Sequence, residues 1–168
     1  ARFGIAFQNN ALFDHLTDGD NIAFPLRRLF KNLSEEEIRA RVADRLKVVS
    51  LPGFEDRSPP SLSGGQKKRV AVARATVAAT GSVLIYDEPA AGLDPVTSQK
   101  IFDLLKQEQG NATVIMVSSD LDRMLTVTDR VGMMVQGRII FDGTTQEAKD
   151  STNPYVHQFV HGLTEGPL

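Results

Sequence analysis

Two short clusters in the chain combine residue types at a spacing suited to phosphate chemistry. In Leu62-Ser63-Gly64-Gly65-Gln66, a hydroxyl and two glycines stand directly before a stretch of helical composition. Glycines let a backbone approach a ligand closely, and the helix that follows offers free N–H groups and a positive dipole end to an anion. A terminal phosphate suits that arrangement. An ordinary serine-capped helix after a glycine turn has the same local pattern, so the cluster alone leaves both readings open. Further on, the apolar run Val83-Leu84-Ile85-Tyr86 ends in Asp87-Glu88-Pro89. A carboxylate at the end of a buried strand can hold Mg²⁺, a hard cation that takes one or two carboxylates together with phosphate oxygens. Asp87 fits that role. Glu88, one residue later, is placed to accept a proton from a water attacking a γ-phosphate. Acidic pairs also cap strands that bind nothing, so this cluster too has a plain structural alternative.

The elements that must position these residues follow from periodicity. Phe3 to Phe7 reads as a strand and leads into the polar Gln8-Asn9-Asn10 and a loop rich in Asp, Thr and Gly. Asn21 to Phe30 reads as a short helix. Ser34-Glu35-Glu36-Glu37 has the form of a capping box opening a longer one, with Ile38, Val42, Leu46 and Val49 on one face and Pro52-Gly53 as its stop. From Pro59 the order becomes that of an α/β sheet: a helix from about Gly65 to Ala79, the buried strand 83–86, a helix capped by Asp94 with Pro95 first, and the strand Thr113 to Val117. In that helix Ile101, Leu104 and Leu105 form the apolar side. Arg130 to Val135 and Arg138 to Asp142 flank Gln136-Gly137 as a hairpin, and Asn153-Pro154 opens a last helix with Val156, Phe159 and Val160 inward. Parallel strands ending in polar residues are where ligands bind in open α/β sheets.

Composition narrows the class. The 168 residues are 41% hydrophobic, enough for one domain with a buried core. Lys and Arg number 19 against 21 Asp and Glu, so there is no polycationic surface and no nucleic-acid partner is expected. The chain has no cysteine, which suits a reducing compartment without requiring one. The most apolar stretch, Val70 to Tyr86, is interrupted by Arg74 and Gly81 and is too short to cross a bilayer comfortably.

Taken in order, the two clusters resemble the signature motif and Walker B strand of the nucleotide-binding domains of ABC transporters. The resemblance extends over essentially all of the chain. Gln8 is similar to the Q-loop glutamine that joins the metal site to the transport subunit, Ala91-Gly92-Leu93-Asp94 to the D-loop, and Asp120 to the aspartate of the H-loop. It implies a partial P-loop NTPase-like ABC ATPase fold of the α/β class in a single domain. Residues 15–80 would be the helical signature subdomain, 81–142 the Walker B, D-loop and H-loop core, and 143–168 a helical tail. It also implies ATP and Mg²⁺ as cofactors, with Asp87 and Gln8 at the metal and Leu62, Ser63, Gly64, Gly65, Gln66 and Asp94 at the nucleotide.

Two departures stand out. Val117 is followed by Ser118-Ser119-Asp120, so Ser119 occupies the place of the family's γ-phosphate-sensing histidine. Either a serine-held water substitutes for the imidazole or hydrolysis is slow. The phosphate-wrapping pattern GxxxxGK[ST] is also absent. Gly132 to Gly137 followed by Arg138-Ile139 comes nearest, but lacks the lysine and the hydroxyl. In the family that loop lies N-terminal to the Q-loop, so the sequence is expected to be an N-terminally shortened piece of such an ATPase.

Phe7-Gln8-Asn9-Asn10-Ala11-Leu12-Phe13-Asp14, Asn21 to Arg27 and the tail Val156 to Pro167 are most similar to the ATPases of MCE-type lipid transport, the Mla group. Amino-acid importer ATPases share the general Q-loop layout. The resemblance implies a homodimer of ATPase copies, an integral-membrane permease, an MCE-type lipid-binding protein and a peripheral position on the cytoplasmic face of the inner membrane. A soluble ABC ATPase of DNA repair or translation would need a coiled-coil insertion or tandem domains, and neither stands between Gln8 and Leu62. A non-enzymatic fragment remains the third reading.

The missing phosphate loop makes a direct prediction. The 168 residues alone are expected to show no measurable affinity for ATP at micromolar nucleotide, because a signature and a helix end offer little binding surface. Titration with a labelled ATP analogue checks this, and tight one-to-one binding would refute it.

Overall fold

The computed structural model describes residues 3–78 and 83–168. Contacts divide the chain into two compact units, Ala1–Ser119 and Asp120–Leu168. That boundary falls inside the stretch read from sequence as the catalytic core. The end of the signature helix at Ala79 and the expected division at residue 81 lie outside the described residues.

In the larger unit, β1 (Phe3–Ala6), β2 (Val83–Asp87) and β3 (Thr113–Val117) form a parallel sheet in the order β1-β2-β3. Gly4 pairs with Leu84, and Asp87 with Val117. Parallel strands need long crossovers, and helices supply them. α1 (Asp18–Leu29), α2 (Glu35–Val48) and α3 (Gly64–Thr76) lie between β1 and β2, with a 3-10 turn at Pro59–Ser61, and α4 (Pro95–Gln109) lies between β2 and β3.

The core forms where these helices meet the sheet. Ile22 and Leu26 of α1, Leu46 of α2, Val70 of α3, Tyr86 of β2 and Ile101 of α4 are without exposed surface. Two glycines permit the closest approaches. A Cβ at Gly4 would collide with the backbone oxygen of Ala75, and one at Gly65 would come within 2.8 Å of the Thr97 methyl group.

Several boundaries differ from the sequence reading. α1 begins three residues before Asn21, because the Thr17 side chain accepts from the Asp20 N–H and Asp18 and Asp20 complement the helix dipole. α2 keeps its capping box, with the Ser34 hydroxyl accepting from Glu37 and the Glu37 carboxylate accepting from Ser34. Its end, however, precedes Pro52-Gly53. Ser50 turns left-handed at φ 58° and Leu51 N–H donates to Leu46 O, which closes the helix before the proline is reached. β3 is a sheet edge with Ile115 and Val117 exposed at 51% and 57%.

The smaller unit holds α5 (Leu121–Val127), the antiparallel pair β4 (Arg130–Val135) and β5 (Arg138–Thr144), α6 (Thr145–Lys149) and α7 (Pro154–Val160). Gln136 and Gly137 both take positive φ, as a tight two-residue hairpin turn requires. Val131, Ala148 and Val156 form its core. The expectation that Phe159 points inward is corrected: it is 46% exposed, because α7 is only two turns long and Val156 takes its buried face. The short helices α5 and α6 had no periodic signal long enough to read.

One buried charge in the larger unit sets a pH dependence. Asp18 has no exposed surface and neither carboxylate oxygen accepts a hydrogen bond, so burial pushes its carboxyl from 3.8 up to about 6, with Arg57 acting in the opposite sense. The folded protein therefore holds this proton more tightly than the unfolded chain does. The resulting stabilisation is complete below about pH 4 and is lost as pH rises through 6, a change on the order of 2 kcal/mol. Asp18→Asn is expected to gain stability relative to the parent by about that amount between pH 4 and pH 7 in urea unfolding. A difference between variant and parent that stays constant over this range would mean that Asp18 is solvated.

Candidate functional site

The candidate site lies at the carboxyl ends of the three parallel strands. Leu84 and Tyr86 are buried, which anchors β2 and brings Asp87 and Glu88 to the sheet margin, both half-exposed. Gln8 follows β1 and Ser119 follows β3, both exposed. The Glu88 N–H donates to Val117 O at 2.9 Å, which extends the β2–β3 ladder by one bond. Glu88 itself takes φ 44°, a left-handed conformation that costs a residue with a side chain roughly 1–2 kcal/mol. From there its carboxylate accepts a hydrogen bond from the Ser119 hydroxyl at 3.2 Å.

Sequence reasoning missed Lys68. Its side chain is 6% exposed, and its ammonium donates to Gln8 O at 2.6 Å and to Glu88 O at 3.0 Å. Burial lowers its proton affinity, while Glu88 and Asp87 act to raise it. A signal was present in the spacing, since Lys68 shares the inward face of α3 with Gly65 and Val72, three before and four after it.

The signature residues take up a reciprocal cap. Ser63 Oγ accepts from the Gln66 N–H at 3.3 Å, and Gln66 Oε1 accepts from the Ser63 N–H at 2.8 Å. Gly64 and Ser63 are exposed and leave the helix end open to a ligand, whereas Gly65 is buried against Thr97. The absence of a side chain at Gly65 thus serves the packing of α3 on α4. Leu62 is 7% exposed and lies in the hydrophobic core, so its side chain anchors the turn that leads into Ser63. Asp94 caps α4, its Oδ1 accepting from the Val96 and Thr97 N–H groups, and the Thr97 side chain first, then the Thr97 and Val96 backbone, hold its carboxyl below the usual range. No hydrogen bond among the described residues joins Ser63 or Asp94 to Asp87, Glu88 or Ser119.

No cluster of three or more His, Cys, Asp or Glu that could hold a metal occurs among the described residues. That donor set does not suit an all-protein cage. Mg²⁺ keeps several waters and is usually bound through one or two carboxylates plus substrate phosphates, and the half-exposed Asp87 at the end of β2 is a carboxylate that could serve it. Among the described residues no helix is long and apolar enough to cross a membrane.

A parallel sheet ending in an acidic pair, with a capped glycine helix as its crossover, defines the class of nucleotide-binding α/β domains with which the chain aligns. The family model described as ABC transporter matches residues 1–91, and the chain belongs to that family. It is 36% identical over 99% of its length to the intermembrane phospholipid transport system ATP-binding protein MlaF of Haemophilus influenzae, and 41% identical over 98% to the sulfate/thiosulfate import ATP-binding protein CysA 1 of Agrobacterium fabrum. It spans 63% and 49% of those relatives' own lengths. The dimeric ATP-binding cassette MJ0796 bound to ADP and Pi superposes with a TM-score of 0.75 at 32% identity, over 84% of this chain and 62% of that one. The ABC ATPase fold expected from sequence is therefore the fold observed, as a partial cassette.

The contact between Ser119 and Glu88 makes the serine testable. Its uncharged hydroxyl reaches the carboxylate, but it cannot carry the positive charge an imidazole offers near neutral pH. In the full-length protein, Ser119→His is expected to raise steady-state phosphate release severalfold and to leave ATP binding nearly unchanged. An unchanged or lower rate would show that the serine is already compensated.

Proposed function

We propose that this chain is the catalytic part of an ATPase subunit that drives lipid, most specifically phospholipid, transport across a cell envelope. The observation that carries the hydrolytic part of this reading is Glu88 at the end of the central strand, held by Val117 and Ser119 beside Asp87. The lipid assignment is supported by the likeness to MlaF and by the Q-loop residues Phe7 to Asp14. A second reading, import of a small solute, is supported by the comparably high identity to CysA 1.

In the proposed reaction, water attacks the γ-phosphorus of ATP. The Glu88 carboxylate takes the water proton as the new P–O bond forms, and ADP leaves with the electrons of the broken β,γ-bridging bond. Asp87 would hold Mg²⁺, whose charge would offset that of the substrate phosphates. Gln8, exposed after β1, is on this reading the residue that links the metal side of the site to a permease. Ser63 and Gly64 present the open end of α3 to the terminal phosphate of a nucleotide held by a second copy, with Asp94 and its loop at the interface between copies. The assembly on this reading is a pair of ATPase subunits, a membrane permease and an MCE-type lipid-binding protein. It sits peripherally on the cytoplasmic face of the inner membrane and has no nucleic acid.

Two substitutions separate the roles of the carboxylates in the full-length protein. Glu88→Gln keeps shape but accepts no proton, so hydrolysis should fall by about 10²- to 10⁴-fold. Nucleotide should be retained and an ATP-bound dimer should accumulate in size-exclusion chromatography. Asp87→Asn should lose Mg²⁺-dependent ATP binding as well as turnover, and should form no such dimer. Hydrolysis at the parental rate in Glu88→Gln would end the claim that Glu88 is the base.

A further inference from the structure

Lys68 is nearly buried, yet it carries a charge and touches no carboxylate side chain in hydrogen-bonding range. Its two bonds go to backbone carbonyls, Gln8 O at 2.6 Å and Glu88 O at 3.0 Å, on residues 60 and 20 positions away. Burying an ammonium is unfavourable unless its donors are used, so a lysine at this point of α3 has a cost that must be offset. The bonds it makes are charge-assisted and short. They join three segments: the helix that carries Ser63 and Gly64 at its start, the turn after β1 and the turn after β2.

The two acceptors are also distinctive. Glu88 sits at φ 44°, and two residues after Gln8 the chain turns left-handed at Asn10 and Ala11. Asn10 O and Ala11 O accept in turn from the Arg74 guanidinium, at 2.7 Å each. The inward side of α3 therefore holds the segment after β1 with two cations, and Lys68 alone of the two extends to Glu88. Glu88 O accepts a further bond from the Ala91 N–H at 3.2 Å, which closes the turn after it.

We propose that Lys68 is a positioning residue for hydrolysis: its ammonium ties the carbonyls of Gln8 and Glu88 together and keeps the Glu88 backbone in the conformation from which its carboxylate meets Ser119. The inference rests on the reading of Glu88 as the base and names the residue through which that base is placed. Lys68 itself touches no substrate. Its effect passes through Glu88, and misplacing a reacting group by about 1 Å can reduce the rate about 10²-fold. The same bond ties the position of α3 to the Gln8 turn, so a displacement of the Gln8 segment is felt at the base without passing through the sheet.

The experiment uses the full-length protein with five variants: Lys68→Met, Lys68→Gln, Glu88→Gln, and each Lys68 substitution combined with Glu88→Gln. Lys68→Met keeps length and apolar bulk and removes the donors. It is expected to lower kcat by about 10- to 100-fold while leaving the KM for ATP within about twofold. Lys68→Gln keeps one shorter donor and should lose less. In the Glu88→Gln background, Lys68→Met should cost nothing further, because the group it positions is already disabled. A parental kcat in Lys68→Met, or an equal additional loss in the Glu88→Gln background, would overturn the inference. If Lys68→Met does not fold by circular dichroism, Lys68→Gln is read by the same cycle and the same criteria apply. Failure of the underlying reading is distinct, since it appears as a parental rate in Glu88→Gln itself.

Discussion

The larger unit depends on a helix that has almost no outside. α3 buries Val70, Ala71, Val72, Ala73, Ala75 and Thr76, so nearly every direction around its second half is occupied by protein. A helix in that position must be narrow. Alanine and glycine meet the requirement, and the contact of Gly4 with the backbone of Ala75 shows how close the first strand comes. Helix-on-sheet packing at that separation leaves little room for relaxation, because interiors are close-packed and respond to the volume of a single methyl group. The orientation of the exposed helix start at Ser63 and Gly64 is set from behind by this packing, and so are the turns that follow β1 and β2.

A polar side chain buried in such a setting must find partners. Two cations leave the inward side of α3, and both end on backbone oxygens of neighbouring turns. The arrangement converts the cost of buried charge into geometric definition, since a lysine or arginine can satisfy its donors only if those turns keep their shape. Asp18 shows the opposite case. It is buried at the start of α1 without a hydrogen-bond donor, and its proton affinity rises in response.

Much of this was legible from residues, and the exceptions have physical reasons. The capping box at Ser34, the Asp94 and Pro95 helix start, the parallel strands β2 and β3 and the hairpin around Gln136-Gly137 were readable because each is decided by local chemistry or strong periodicity. Asp87, Glu88 and Ser119 were placed by their positions at strand ends, and the structure brings Glu88 and Ser119 into contact. Lys68 escaped notice because a lysine in the run Lys67-Lys68-Arg69 reads as solvated surface, even though its spacing from Gly65 and Val72 sets it on the inward face of α3. That the Leu62 side chain turns into the core was not legible, because motif membership does not say which way a side chain points. The early start of α1 and the early stop of α2 were decided by Thr17 and Ser50, single residues whose capping roles outweigh the stronger-looking signals nearby.

The exposed margin of β3 bears on how this chain behaves in solution. Its residues read Thr113-Val114-Ile115-Met116-Val117, without a charge or proline to discourage strand addition, and Ile115 and Val117 face water. A sheet border of that kind is adhesive, because unpaired backbone groups and apolar side chains on one rim form a template for another strand. The formal charge of -2 offers little electrostatic repulsion between molecules to oppose such pairing. High protein concentration favours rim-to-rim contact, and a lysine on this strand would oppose it.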